Sequence, residues 1–324
     1  MPTVLVTGVG GASGIGAVRA LQETTAHHVV GVDMDPDAAG LYLADDGRQI
    51  PPASDDAWGR VMREVIEDHG VDVVVPTVDE ELPELGTLPE AVPTVAPRPA
   101  VVGMALDKYA TYRQLDDAGH AVPQTWLASE AESIPEHAYP LVRKPRRGRG
   151  SRGIRRVATP AELDRALDET DRSDDEVVFQ SFVEGTEYTT SVVATTDDRL
   201  LAVVPKEAIE KQGSTVKGVT RSHDAVRDAC RELFESLSPR GPMNVQQIVD
   251  DDGRPYTIEI NPRFSSTACL TVKAGVNELD LLVRDALGER VPRSDGYDAG
   301  VYFLRYHDHV FVDKDRFRSR VSEP

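Results

Sequence analysis

Between residues 3 and 103, short unbroken apolar runs alternate with amphipathic stretches. Thr3–Val6, Val29–Val32 and Val71–Pro76 are apolar at successive positions, so a strand there must bury both faces. Ile15–Gln22 and Trp58–Asp68 carry apolar residues at helical spacing. A parallel sheet covered by helices on both faces satisfies that alternation, which places this part in the α/β class. The Pro-rich stretch Leu88–Pro99 is expected to close the unit. At 324 residues the chain exceeds one ordinary core, so a second unit must follow.

The pattern changes at Asp107, a plausible N-cap for a helix reaching Ala118 and stopped by Gly119. Tyr139–Lys144 predicts a strand, Arg146–Gly153 a Gly/Arg loop leading to a short strand, and Thr159-Pro160-Ala161-Glu162 a capping box. Val177–Val183 is an apolar strand. Glu187–Ala194 and Leu200–Pro205 form a hairpin around Asp197–Arg199, and Asp224–Leu237 a helix. A second hairpin, Asn244–Val249 with Pro255–Asn261, turns at Asp250–Gly253. Helices over Thr267–Gly275 and Leu279–Leu287 and a short apolar segment, Val301–Leu304, end the pattern. There is no internal repeat and no long linker.

Charge narrows the function classes. Asp and Glu outnumber Lys and Arg 55 to 36, a net charge of −19, and only 7 of the 36 basic residues are Lys. An Asp-rich, Lys-poor surface suits a salt-saturated cytoplasm, where the Debye length falls to ~3 Å or less. A halophilic source is therefore expected; an acidic surface for a basic partner is the alternative. Either way the bulk charge argues against nucleic acid as a partner. No apolar run approaches the ~20 residues of a membrane helix, and the start reads as a strand rather than a signal peptide. Cys230 and Cys269 are far apart with no metal spacing, which fits a reducing cytoplasm and two core thiols.

Four motifs carry chemistry. Thr7-Gly8-Val9-Gly10-Gly11-Ala12-Ser13-Gly14-Ile15-Gly16 lies between a strand and a helix, with Asp33 at the end of the next strand. Glycines there let backbone N–H groups approach a phosphate, and Asp33 could hold a ribose, as in an NAD(P)-dependent oxidoreductase. The glycine spacing differs from that of short-chain dehydrogenases, and none of the nine tyrosines stands four residues before a Lys. A phosphate or substrate contact without NAD, or simply a tight βα turn, is the preferred reading. In Glu259-Ile260-Asn261-Pro262-Arg263, Glu259 and Asn261 share one strand face while Ile258 and Ile260 point to the core. On the partner strand Val245, Gln247 and Val249 share the core face, leaving Gln246 beside Glu259. Three hard oxygens suit Mg²⁺; an exposed polar hairpin face is the alternative. Lys144 ends a strand and enters the run Pro145–Gly153, a phosphate-gripping pattern or a plain surface loop; it lacks the aromatics an RNA site would use. In Phe179–Glu187, backbone groups at Phe182 and Val183 could read a purine edge and Glu187 hold a ribose; an ordinary core strand is the alternative.

Taken in order, the last three motifs resemble the ATP-grasp superfamily, closest to its carbamoyl-phosphate-synthase-like branch. The resemblance also covers Val75-Pro76-Thr77-Val78-Asp79-Glu80-Glu81, the Asp107-Lys108-Tyr109 helix start, Tyr139–Pro145 and Asn244-Val245-Gln246. It implies a Rossmann-like pre-ATP-grasp domain, residues 1–104, followed by a two-lobed α+β ATP-grasp domain, residues 105–324. The central lobe would be 105–185 with the Gly/Arg loop, and the C-terminal lobe 186–324 with the metal site. It further implies ATP and Mg²⁺ as cofactors, with two ions expected and Mn²⁺ an acceptable substitute. Lys108 and Lys144 would contact phosphates, with Gly150 and Ser151 in the closing loop. Gln180, Phe182 and Val183 would form the adenine hinge, Gln180 standing where Glu is frequent. Glu187 would hold the ribose, and Gln246, Glu259 and Asn261 the metal. Arg263, with Lys144, would serve the transferring phosphoryl group. One of Lys206, Lys211 and Lys217, in a mobile Gly-containing segment, would also reach the phosphates.

The implied reaction joins a small-molecule carboxylate to an amine through an acyl phosphate, in the cytoplasm, with a homodimer admissible. Its rivals are the oxidoreductase reading and a non-catalytic ATP-binding regulatory protein. Asp79, Glu80, Ser265, Ser266 and Thr267 are candidates for the acceptor wall, with a helix cap the preferred role for the acids.

Overall fold

Successive side chains of the first strand enter different cores. The computed structural model describes residues 1–148, 150, 153–169, 175–294 and 296–319. Its first elements are β1 (Thr3–Thr7), α1 (Ala12–Thr24), β2 (His28–Asp33), α2 (Gly40–Leu43), β3 (Asp46–Gln49), α3 (Trp58–His69) and β4 (Val73–Val75). The strands form a parallel sheet in the order β3-β2-β1-β4. Val4 and Val6 pack with α1, whereas Leu5, Val30 and Val32 pack with Trp58, Met62, Val65 and Ile66 of α3. Two buried faces explain the unbroken apolar runs. β3 was not anticipated, because Asp46-Gly47-Arg48-Gln49 has no apolar side chain; it is an edge strand held by backbone pairing to β2.

The glycine turn is closed on itself. The Asp33 carboxylate accepts hydrogen bonds from the N–H groups of Gly10 at 2.6 Å and Asp35 at 2.9 Å. A Cβ on Gly14 would overlap the Gly8 carbonyl, and Gly8 itself has φ +62°. The turn is thus built for close packing of β1 on α1, and Asp33 is occupied locally rather than free for a ribose.

A 3₁₀ turn over Asp79–Thr87 follows β4, and α4 (Pro99–Ala105) starts where the sequence suggested only a closing segment. Then come α5 (Lys108–Asp117), β5 (Thr125–Leu127), β6 (Leu141–Pro145), β7 (Arg155–Val157), α6 (Pro160–Asp168) and β8 (Val177–Ser181). Thr159 caps α6 by accepting the Glu162 N–H, while the Glu162 carboxylate takes the N–H of Ala158. The four strands form an antiparallel sheet, β5-β8-β6-β7, around Leu141, Val157, Leu163 and Phe179.

The rest is dominated by a six-stranded antiparallel sheet, order β13-β12-β9-β10-β11-β14. Its parts are β9 (Thr186–Ala194), β10 (Leu200–Gln212), β11 (Ser214–Thr220), α7 (Asp224–Leu237), β12 (Pro242–Val249), β13 (Pro255–Asn261), α8 (Ala268–Lys273), α9 (Glu278–Ala286), β14 (Tyr302–Leu304) and α10 (Lys314–Ser319). Val192, Val203, Met243, Val245 and Ile260 face α4, α5 and α7. Val193, Ala202 and Val204 face the opposite way, joining Phe264, α8, α9 and the β1–α1 core in a single cluster. The short apolar segment Val301–Leu304 contains β14, a sheet edge with Tyr302 and Leu304 largely exposed. Beyond it, Phe317 stacks on Tyr42 at 5.6 Å. Of the two thiols, Cys230 is buried and Cys269 half-buried. Among the described residues no helix is long and apolar enough to cross a membrane.

Candidate active site

A cleft of about 670 Å³ opens between the two antiparallel sheets, within the usual range for small-molecule sites. On one side lie Val142 and Lys144 of β6, Gln180 of β8, Phe182 and Val183 just after it, and Gly148, Gly150 and Ile154. On the other lie Glu187 and Thr189 of β9, Lys211 of β10, Gln246 and Ile248 of β12, and Ile258, Glu259 and Asn261 of β13. Lys108, Arg263, Ser265 and Ser266 complete it, and the first turn of α1 adds Ala12 and Ser13. Ser151 lies outside the described residues.

The β12–β13 hairpin sets the oxygen donors. Gln246 pairs in register with Glu259, and Asn244 with Asn261; between them Val245 and Ile260 turn to the core. The register then jumps from Gln246–Glu259 to Gln247–Thr257, leaving Ile258 unpaired. Strict alternation had put Ile258 in the core; this bulge turns it into the cleft instead.

Lys144 is buried, and its Nζ donates to Gln180 Oε1 at 2.7 Å. Gln180 Nε2 donates in turn to Thr125 Oγ1 at 3.0 Å. Thr125 spends its own proton on the Pro123 carbonyl at 3.0 Å, so it can only accept from Gln180. That chain orients the amide with its oxygen toward the lysine. Burial pushes Lys144 down to about 8, partly opposed by the charge of Glu259.

Lys108 Nζ donates to the Gly148 carbonyl at 2.8 Å and lies 3.4 Å from Glu259 Oε1. Asp107 holds this lysine's helix to the Gly/Arg loop. It caps α5 through the N–H groups of Tyr109 and Ala110 and accepts Arg146 Nε on both oxygens at 2.9 Å. Burial raises its pKa, but the bonds from Arg146 and Ala110 and the charges of Arg146 and Arg147 outweigh that and hold it below the usual carboxylate value. Two of the arginines that stood out in the loop are therefore partners of Asp107.

Lys211 pairs with Glu187 at 2.5 Å. The segment that carries the three candidate lysines is the hairpin β10–β11, and its register separates them. Lys211 lines the cleft. Lys217 pairs with Glu210 at 2.6 Å and is half exposed. Lys206 is fully buried behind the sheet, donating to Ser191 at 2.6 Å and Thr271 at 2.8 Å, so it cannot reach a phosphate in the cleft. Arg263 makes a two-pronged bond to Asp79, Nε–Oδ1 2.6 Å and Nη2–Oδ2 3.0 Å. Asp79 therefore neither caps the 3₁₀ turn nor stands free in the wall. Thr267 is buried, whereas Ser265 and Ser266 line the cleft. Phe182 gives its N–H to the Pro140 carbonyl at 2.8 Å, which leaves only its carbonyl for a base edge. Sequence reasoning missed the apolar slot of Val142, Ile154, Ile248 and Ile258, whose residues come from four separate segments.

The donor set fits Mg²⁺ better than a softer metal. Among the described residues no three His, Cys, Asp or Glu side chains gather to hold an ion. One carboxylate, Glu259, with the amide oxygens of Gln246 and Asn261, leaves coordination positions for waters and phosphate oxygens, as Mg²⁺ prefers. Asn261 Nδ2 is buried without a partner, and its Oδ1 faces Arg263 Nη2 at 3.3 Å, toward the cationic end of the site.

Known proteins resemble this chain in sequence and in fold. The family described as the ATP-grasp domain matches residues 105–267, and the family described as the PylC-like N-terminal domain matches residues 4–95. A D-alanine–D-alanine ligase of Syntrophotalea carbinolica is 28% identical over 255 residues, 72% of this chain and 82% of that protein. The arginine-specific carbamoyl phosphate synthase large chain of Bacillus subtilis is 26% identical over 64% of this chain and 22% of its own length. The structure of a biotin carboxylase–β,γ-ATP complex from Campylobacter jejuni superposes with a TM-score of 0.73 at 15% identity, covering 90% of this chain and 72% of that one, a likeness of fold. The matched half of the chain carries the sheet β5-β8-β6-β7 and every strand of the six-stranded sheet but β14, and the protein belongs to the ATP-grasp family.

Proposed function

We propose that the protein is an ATP- and Mg²⁺-dependent ligase that activates a carboxylate and transfers the acyl group to an amine. One observation carries the reading: Lys108, Lys144, Lys211 and Arg263 converge on a cleft whose oxygen donors are Gln246, Glu259 and Asn261. The D-alanine–D-alanine ligase relationship supports carboxylate–amine joining. The chain divides between residues 104 and 105, with 105–185 and 186–324 as the two lobes; the start of the ATP-grasp match at residue 105 supports this boundary. The cytoplasm, at high salt, is its place of action.

The apolar slot and Phe182 would hold the base, with Gln180 beside it and Val183 supplying backbone. Glu187 would hold the ribose once Lys211 turns to the phosphates. Lys108, Lys144, Gly150 and Ser151 would hold the phosphate chain. Bound at Gln246, Glu259 and Asn261, Mg²⁺ would neutralise charge on the phosphate oxygens. A carboxylate oxygen of the substrate attacks the γ-phosphorus as the bond to the β-phosphate oxygen breaks, releasing ADP. The amine then attacks the acyl carbon, inorganic phosphate leaves, and the amine loses a proton. Arg263, which lines the cleft, would take developing phosphoryl charge.

The test is ADP release in multi-molar KCl with paired carboxylates and amines, D-alanine and bicarbonate included. Turnover that needs both substrates is expected, and Glu259→Gln should lower it about a hundredfold or more with the fold intact. Wild-type turnover in that variant would remove the metal assignment, and ATP binding with no turnover across the panel would favour a regulatory role.

A further inference from the structure

Arg263 leaves β13 at the cleft, yet its strongest partner comes from the parallel-sheet domain. We infer that Asp79 is a positioning residue for Arg263, so that the N-terminal domain completes the phosphoryl end of the ATP-grasp cleft; this rests on the ligase reading above. The side chains of both residues are nearly buried, at 12% and 13% exposure. A guanidinium has five N–H donors in a rigid fork. Here Nε and one Nη2 hydrogen go to Asp79, the other Nη2 hydrogen to Asn261 Oδ1 at 3.3 Å, and one Nη1 hydrogen to the Phe264 carbonyl at 3.1 Å. A single Nη1 hydrogen is left for a phosphoryl oxygen. The bidentate pair fixes the plane of the fork, and with it the direction of that last donor.

Asp79 is itself held from behind. Thr77, two residues before it, donates its hydroxyl to the Thr7 carbonyl at 2.7 Å and its N–H to Thr7 Oγ1 at 3.2 Å. Thr7 Oγ1 donates to the Glu81 carboxylate, and all three residues are buried. The carboxylate of Asp79 therefore stands on a network tied to the ends of β1 and β4, not on a free loop. Asp79 touches no reacting atom; it sets the angle of the residue that does.

Binding of two probes to the full chain separates positioning from support: Mg·ADP, and Mg·ADP with aluminium fluoride as a mimic of the transferring phosphoryl group. Asp79→Asn should bind Mg·ADP within about twofold of wild type and the aluminium fluoride complex at least tenfold more weakly. Arg263→Lys should show the same split, and the double variant should be no worse than either single one, the mark of residues acting as a unit. Equal loss for both probes, additive losses, or full retention of the aluminium fluoride complex in Asp79→Asn would overturn the inference. If wild-type protein fails to bind Mg·ADP, the nucleotide reading itself falls, a result distinct from those three.

Discussion

In the proposed site, Lys144 would tie nucleotide affinity to a proton. Burial against Gln180 places its pKa at about 8 instead of 10.5. For a lysine depressed in the folded state, the folded chain holds fewer protons than the unfolded one between those values. Its burial therefore costs stability in full below about pH 8, on the order of 3 kcal/mol, and the cost fades as pH rises from 8 to 10.5. A polyphosphate reverses the preference locally, because anionic oxygens favour the ammonium. ATP should then bind the protonated form and, above pH 8, take up a proton. With the pKa restored toward normal in the complex, the apparent Kd should rise about tenfold between pH 7 and pH 9, about 1.4 kcal/mol. Calorimetry with ATP and no divalent ion, in multi-molar KCl and two buffers of different ionisation enthalpy, should show uptake of nearly one proton at pH 9 and little at pH 7. Lys144→Arg keeps its charge throughout and should flatten the profile. Equal wild-type affinity at both pH values, or an unchanged slope in Lys144→Arg, refutes the reasoning.

Three other outcomes are expected. The melting temperature should climb with KCl into the molar range, since a charge of −19 is relieved by screening; a flat or falling curve would contradict adaptation to salt. Gly40→Ala should destabilise by about 1–3 kcal/mol in chemical unfolding, because a Cβ there would overlap the Val9 carbonyl, and an unshifted midpoint would show that the turn can yield. Lys206 sits in a buried group with Ser191, Thr271 and Glu278, where burial pulls the lysine down and the glutamate up while each charge opposes that drift. Lys206→Met should therefore cost about 3–5 kcal/mol by stranding Glu278, and Lys206→Met with Glu278→Gln should recover part of it; no recovery would mean the two are not coupled.

What could be read beforehand follows what each element depends on. β1, β2 and β4 announced themselves because two buried faces demand apolar residues at every position. The β12–β13 hairpin was legible because its turn and its alternation agree, and Gln246 opposite Glu259 followed from them. Ile258 was misplaced because a bulge breaks the period of two without changing composition. β3 and α10 depend on pairing and docking to distant partners, β2 for one and Tyr42 for the other, and leave little local trace. Among the candidate lysines, residue type alone could not tell Lys206 from Lys211; only the strand register separates one behind the sheet from one in the cleft. The Asp79–Arg263 bond spans 184 positions, beyond any local pattern.

The β1–α1 core does not end at its own sheet: Val4, Ala17 and Leu21 share one apolar cluster with Leu201, Phe264 and Leu279. The four-stranded sheet, by contrast, keeps a separate core of its own around Leu141 and Phe179. As units of exchange the pieces are therefore unequal. A recombinant that replaces the first hundred residues with those of a distant relative inherits a mismatched interior, not merely a new surface, whereas a graft of the 125–181 sheet brings its own core and has to match its host along α5, at Asp107 and Tyr109, and across the cleft. New specificities in such a chain are more readily gained by substitutions at the rim, around Ser13 and Ser266, than by trading the whole front end.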